Sequence, residues 1–343
     1  MARRGFEGAQ RIEGKMDPCH KIFLCETANT IVCALAADHR KSLLFQEHAF
    51  MIQRRRLAGA LLLPLVTASL DIRAGSRPSL ARQFADIEKD SGGRLGVHVL
   101  DTATGRRAGH RQDERFALCS TFKFLAAALV LARVDQGKEQ LERRLTYTRD
   151  DLVPYSPVTE KHAGAEGMTM AQLCEAAVTL SDNTAANLML ASFGGPAGLT
   201  AYMRSLGDTQ SRLDRIEPGL NEARAGDPRD TTTPVAIVNS MQKILLGDAL
   251  APASRAQLLQ WLDDNKTGGQ RIRAGVPAGW KVGDKTGSGE NGAANDIAIL
   301  RPPGRPPVLL AVYLTETKAS MADRNAAHAA VATAVAAWVA SGL

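Results

Sequence analysis

From about Ser79 onward, apolar and polar positions follow periods that change several times along the chain. Leu80 to Asp90 is amphipathic at helical spacing, and Gly92-Gly93 closes it, which predicts a helix. Leu95, Val97 and Val99 alternate with Gly96, His98 and Leu100, the period of a strand, and Thr104-Gly105 turns the chain into a second short strand. Residues 117–265 read mostly as helix. Beyond Pro277, strand patterns return over Trp280–Thr286, Asp296–Leu300 and Val308–Thr315, with Asn291-Gly292, a favoured hairpin turn, between the first two. The Ala-rich stretch Ala322–Ser341 ends the chain as a helix. Strands at both ends of a helical middle predict an α+β fold: an antiparallel sheet built from both chain termini, flanked by helices, with an inserted all-helical region at about 117–265.

The segment before Ser79 reads differently. Arg54, Arg55 and Arg56 precede the apolar run Leu57–Leu70, which is shorter than the roughly 20 residues of a membrane-spanning helix. A basic stretch, a short apolar stretch and small residues after it make a secretory signal, starting naturally at Met51. The expected organisation is upstream sequence over 1–50, a signal peptide over 51–75 and a mature domain over 76–343. The product would be periplasmic or secreted, by the Sec or the Tat route. A buried helix with an irregular cap is the plainer alternative.

Composition narrows the classes. The 343 residues are 45% hydrophobic and 23% charged, with 30 Gly and 15 Pro, so collagen-like and disordered chains are excluded. Of the net charge of +6, the first 56 residues supply 10 Lys/Arg against 6 Asp/Glu, leaving little excess in the mature part. Aromatics are 5%, so neither basic charge nor stacking platforms suggest nucleic acid. Cys19, Cys25 and Cys33 fall in the upstream segment, and Cys119 and Cys174 sit in apolar helical stretches where buried thiols are common. The seven histidines form no H-x-H or H-x-x-x-H cluster of the kind a catalytic zinc needs; His98 and His328 read as structural or solvent-facing. No metal and no cofactor are expected.

Three short motifs carry chemistry. Ser120 and Lys123 are three apart at the start of an apolar helix and share a face. Burial lowers a lysine pKa and so fits it to activate a serine, although an N-cap serine beside a snorkelling lysine has the same spelling. Thr169–Gln172 is a capping box, and the helix it opens is interrupted at Ser181-Asp182-Asn183, where Ser181 or Asn183 could equally cap the next helix. Lys285-Thr286-Gly287-Ser288 ends a strand, a common place for an edge lysine.

In that chain order S-x-x-K, S-D-N and K-T-G resemble the serine penicillin-recognising enzymes. Glu217-Pro218-Gly219-Leu220-Asn221 resembles the E-P-x-L-N of class A β-lactamases, and Arg215 and Asp230 stand where that family closes its Ω-loop with an ion pair. The resemblance runs from about residue 80 to the C-terminus and identifies the chain as a member of that family. It implies hydrolysis of penicillins and cephalosporins through a serine acyl-enzyme, conferring resistance. Ser120 would be the nucleophile, with Lys123, or Glu217 through a water, taking its proton. Ser181 would relay a proton to the lactam nitrogen, and Asn183 would bind the acylamino group. Glu217 and Asn221 would activate and hold the hydrolytic water. Lys285, Thr286 and Ser288 would receive the substrate carboxylate, and the N–H groups of Ser120 and Ser288 would form the oxyanion hole.

Arg271 corresponds to a carboxylate-binding arginine of some subgroups, with Arg273 as a competing candidate. Tyr155 corresponds to the aromatic wall. A cis bond is expected at Glu217–Pro218. The family's disulfide partners of Cys119 and Cys174 would fall at Gly289 and Ala127, so both thiols are expected to be unpaired and carbapenem hydrolysis is not implied. The expected partner is a small β-lactam molecule bound by a monomer, with no nucleic acid and no stable membrane association. A D-Ala-D-Ala peptidase or a non-hydrolysing penicillin sensor would share the first three motifs but lack the deacylating glutamate.

Overall fold

The computed structural model describes residues 79–342. The expected upstream segment and signal peptide lie outside the described residues. Helix α1 (Leu80–Ser91) begins where Ser79 Oγ accepts from Arg82 N (3.3 Å) and ends at Gly92 in the left-handed region, the glycine expected to close it. Strands β1 (Arg94–Asp101) and β2 (Arg107–His110) follow. Two-residue strand β3 (Phe116–Ala117) leads into a 3-10 turn, Cys119–Thr121, and helix α2 (Phe122–Asp135). Strands β4 (Arg144–Leu145) and β5 (Met168–Thr169) bracket an irregular stretch before α3 (Met170–Thr179), α4 (Asn183–Ser192) and α5 (Gly195–Ser205). A long loop reaches β6 (Thr231–Thr232), then α6 (Pro234–Leu245), α7 (Pro252–Asp263) and the short α8 (Ile272–Gly275). Strands β7 (Lys281–Ser288), β8 (Ala294–Arg301) and β9 (Val308–Thr315) and helix α9 (Met321–Ala340) complete the chain.

Five strands form one antiparallel sheet in the order β2-β1-β9-β8-β7, so the first and last strands of the described chain meet at the β1–β9 pair, with Arg94 opposite Thr315. The expected sheet, its termini and the inserted helical region are all present. Asn291 and Gly292 take φ of 52° and 74° in the turn that sets Ser288 opposite Ala294. Strand β1 departs from its pattern. Its alternation suggests one wet face, yet every residue from Leu95 to Asp101 is buried. The cause is cover on both sides: Leu95, Val97 and Val99 join a core with α1 and α9, whereas Leu100 joins the core around α2.

Helix α2 is buried at nearly every position, which makes it the axis of the helical region and not a surface helix. Phe122 and Phe124 are both wholly enclosed, each worth about 1.5–3 kcal/mol by transfer from water. The helical region is less continuous than its composition suggests, because the irregular stretches between α2 and α3 and between α5 and α6 are tied by the small ladders β4–β5 and β3–β6.

Candidate active site

Ser120 lies in the 3-10 turn that feeds α2, and Lys123 follows one turn later. Cys119, just before the serine, holds a left-handed φ of 42°. Asn295 of β8 supports this turn by donating Nδ2 to the carbonyl of Ala117 (2.9 Å). Gly287 of β7 passes so close that a Cβ there would lie 3.2 Å from Ser120 N, so a glycine lets strand and nucleophile turn touch.

Lys123 is fully buried, and its Nζ donates to Ser120 Oγ (3.0 Å), Ser181 O (2.8 Å) and Asn183 Oδ1 (2.6 Å). It also lies 2.9 Å from Glu217 Oε1, and Ser120 Oγ donates to that same oxygen (3.3 Å). Burial lowers the Lys123 pKa, and the neighbouring Glu217 carboxylate opposes that shift. A serine hydroxyl therefore stands between a buried amine and a buried carboxylate.

Ser181 completes this end. It sits at φ 60°, a costly backbone region for a non-glycine residue and one that strained sites favour. Its Oγ accepts from Lys285 Nζ (3.0 Å) and lies 3.4 Å from Lys123 Nζ. Burial, followed by repulsion from Lys123, drives the Lys285 pKa well below its ordinary value. The alternative of a capping role for Ser181 or Asn183 is not realised: the cap of α4 is Asp182, whose Oδ1 accepts from Ala185 N (2.9 Å). That carboxylate is buried and also receives Val158 N (3.0 Å) and Thr159 N (2.9 Å), so it is spent on holding the Tyr155 loop. Ser181 and Asn183 line the cleft instead, with Asn183 Nδ2 donating to Pro154 O (2.8 Å).

Glu217 is 1% exposed although it lies in a loop. Asn187 brackets its backbone, accepting Glu217 N (2.9 Å) and donating to Glu217 O (2.9 Å). Asn221 Nδ2 donates to Glu217 Oε2, and the Glu217–Pro218 bond is cis, as expected. The loop base is closed by the expected ion pair, Arg215 Nε to Asp230 Oδ2 at 2.6 Å, and Asp230 also accepts Asp214 N (2.7 Å) and Arg215 N (2.9 Å). The β7–β8 turn reaches the same loop through Glu290 N to Asn221 O (2.9 Å).

At the other end, Arg271 is 6% exposed and donates to the carbonyls of Gly287 (2.8 Å) and Asn295 (2.6 Å) and to Ser288 Oγ (2.8 Å). Burial lowers its pKa from the ordinary arginine range. Arg273, the competing candidate, turns away onto Asp284 and the carbonyl of Leu262 (2.9 Å). Thr286 and Ser288 line the same cavity of about 460 Å³ as Ser120, and Tyr155, 59% exposed, stands at its rim.

The structure thus gathers every expected site residue around one cleft, but not all on its wall. Ser120, Ser181, Asn183, Asn221, Tyr155, Thr286, Ser288 and Arg271 face the cavity, whereas Lys123, Glu217 and Lys285 stand behind it. Lys285 meets the cleft through Ser181, its Nζ donating to Ser181 Oγ (3.0 Å). Asn187 and Asp182 escaped the sequence reading, as did the lining residues Thr267, Gln270, Met321 and Asn325. Asn187 had a signal: it is four residues after Asn183 in one helix, hence on the same face.

Among the described residues both cysteines are buried free thiols, and burial pushes Cys119 up to about 12. A Cβ at Gly289 would come within 2.8 Å of Cys119 Sγ, so that thiol abuts a residue that offers no sulfur. Both His98 and His328 are buried and structural: His98 Nε2 accepts from Arg107 Nη1 (3.2 Å), and His328 Nδ1 donates to Arg324 O (2.8 Å). Among the described residues no three His, Cys, Asp or Glu side chains come together as ligands for a metal.

Known proteins resemble this arrangement over almost the whole described chain. A family model described as the β-lactamase enzyme family matches residues 79–339. The β-lactamase OXY-1 of Klebsiella oxytoca is 47% identical over 283 residues, 82% of this chain and 97% of its own. An ancestral (GNCA) class A β-lactamase superimposes with a TM-score of 0.75 at 63% identity, covering 76% of this chain and 99% of that one. The putative class A β-lactamase PenP of Rhodopseudomonas palustris does so with 0.75 at 62%, covering 76% and 100%.

Proposed function

The chain belongs to the class A β-lactamase family, and from that premise we propose how its own residues divide the work of opening and releasing a β-lactam. The enzyme is a serine β-lactamase that hydrolyses the lactam amide of penicillins and cephalosporins. One observation carries the assignment of roles: Ser120 Oγ lies between Lys123 Nζ (3.0 Å) and Glu217 Oε1 (3.3 Å) at the floor of the cleft.

Ser120 Oγ attacks the lactam carbonyl while its proton passes to the Lys123–Glu217 pair, whose 2.9 Å contact lets either partner hold it. The backbone N–H groups of Ser120 and Ser288 meet the developing oxyanion. As the C–N bond breaks, Ser181 passes its proton to the lactam nitrogen and is resupplied through Lys123 with the proton taken from Ser120, which leaves Glu217 a free carboxylate. Glu217 then takes a proton from a water held with Asn221, that water attacks the ester carbonyl, and the proton returns through the Lys123–Glu217 pair to Ser120 Oγ as its C–O bond breaks. Thr286, Ser288 and Arg271 take the ring carboxylate, a planar guanidinium being suited to it. Asn183 meets the acylamino group and Tyr155 closes the rim.

The reading extends to a monomer exported by the signal over 51–75, its mature part beginning at about residue 76. Among the described residues no helix is long and apolar enough to cross a membrane. Sustained turnover of a chromogenic cephalosporin, many equivalents per enzyme, is the expected result. A single burst equal to the enzyme concentration would instead indicate a penicillin-binding peptidase or sensor.

A further inference from the structure

The cleft has an apolar side chain at each rim. Tyr155 marks the end near Ser181 and Asn183, and Met321 marks the end near Arg271. Met321 is the first residue of α9 and is 41% exposed. The fold does not demand a methionine there, because Ser320 caps the helix by accepting Asp323 N (3.2 Å) and Met321 is not part of the buried core. Its side chain is tied to the site: Arg271 Nη2, which donates to Ser288 Oγ (2.8 Å), also donates to Met321 Sδ (3.7 Å). A single guanidinium nitrogen therefore joins the hydroxyl that would face a substrate carboxylate to the thioether at the rim.

The geometry points to Met321 as a specificity-determining residue, the wall against which the C3 substituent of a cephalosporin rests. This inference rests on the proposed function. In a cephalosporin the carboxylate is on C4, and C3 is the next ring atom. With the carboxylate on Thr286, Ser288 and Arg271, and the lactam carbonyl at Ser120, the C3 substituent must leave the cleft beside Arg271, on the side away from Ser120. Met321, Gln270 and Asn325 line that side. Asn325 is engaged, accepting Arg271 Nε (2.9 Å). Met321 is the apolar surface among them, and a flexible, polarisable thioether adapts to substituents of varied shape.

The test uses two cephalosporins with the same acyl side chain, one with a methyl at C3 and one with a large heteroaryl thiomethyl group, alongside benzylpenicillin. Met321→Ala should raise KM for the large-substituent cephalosporin about threefold to tenfold, with kcat, the methyl analogue and the penicillin all within about twofold of wild type. Met321→Leu, which restores the volume, should recover most of the loss. An equal rise for both cephalosporins would show that Met321 acts only by steadying Arg271, and no change in either would show that it touches nothing; both results overturn the wall. Wild-type enzyme that turns over none of the three compounds would overturn the proposed function itself and the wall with it.

Discussion

Glu217, behind the floor of the cleft, and Arg271, on its wall, are ionisable groups 1% and 6% exposed, yet they are held in opposite ways. Glu217 sits on irregular backbone fixed by side chains, with Asn187 on both its N–H and its carbonyl and Asp230 closing the loop base. Arg271 is a side chain fixed by backbone, through the carbonyls of Gly287 and Asn295 in paired strands. A loop that depends on side chains can be released by one substitution, whereas a sheet keeps presenting its carbonyls whatever residue faces them. Sensitivity to mutation should therefore be concentrated in the loop that carries Glu217.

The largest expected effect removes the group the loop exists to place. Glu217→Ala should cut turnover about a thousandfold or more, within the range for a lost general base, while acylation continues. A covalent penicillin adduct on Ser120, seen by intact mass, is the expected signature. Rapid turnover without an adduct would take Glu217 out of deacylation.

Arg271→Ala should raise KM for penicillins about tenfold to a hundredfold, the value of a hydrogen bond to a charged group, with a smaller change in kcat. Hydrogen exchange across 212–230 should stay as in wild type, because the loop hangs on other contacts. Arg273→Ala should instead lower the melting temperature, since it leaves Asp284 buried without its ion-pair partner, and should move KM much less. Equal KM effects from both variants would erase the distinction between the two arginines.

Asp230→Asn should slow penicillin deacylation about tenfold, consistent with loss of general-base positioning, and should let bulky cephalosporins gain from a looser loop. Breaking a buried pair costs about 3–5 kcal/mol, and the cost here is expected nearer about 2 because Arg215 keeps Glu222 at 2.6 Å. Faster exchange over 212–230 would accompany the change. Unchanged protection and unchanged turnover would mean that packing alone positions Glu217.

The last effect concerns acid. His328 lies behind the Arg271 end, and burial, then repulsion from Arg271, lowers its pKa to about 3. The folded protein holds this ring neutral while the unfolded chain protonates it near 6.5, so its contribution is intact above that value and is lost as pH falls toward about 3. At pH 5 the loss is about 2 kcal/mol. Urea midpoints at pH 7 and pH 5 should converge in His328→Gln relative to wild type; an unaltered gap would assign the acid sensitivity elsewhere.

Much of this was written locally. Caps at Ser79 and Thr169, the Asn291-Gly292 turn, the strand periods near both termini and the order of the four motifs depend on residues a few positions apart, where backbone preference and short hydrogen bonds act. They determined the α+β plan and the family, and they named the candidate site residues that the cleft gathers. Only the tertiary structure decided how those residues are deployed. Ser120 and Glu217 are 97 residues apart, and Lys285 and Ser181 104 apart, so neither contact leaves a trace in local spacing. The choice of Asp182 as the cap, of Arg271 over Arg273 for the cleft, of Lys285 behind Ser181 and of Met321 for the rim was made by which surfaces the closed sheet and the helical region bring together. Long-range packing sets those positions, because burial rewards a side chain for the neighbours it meets and not for those it follows in the chain.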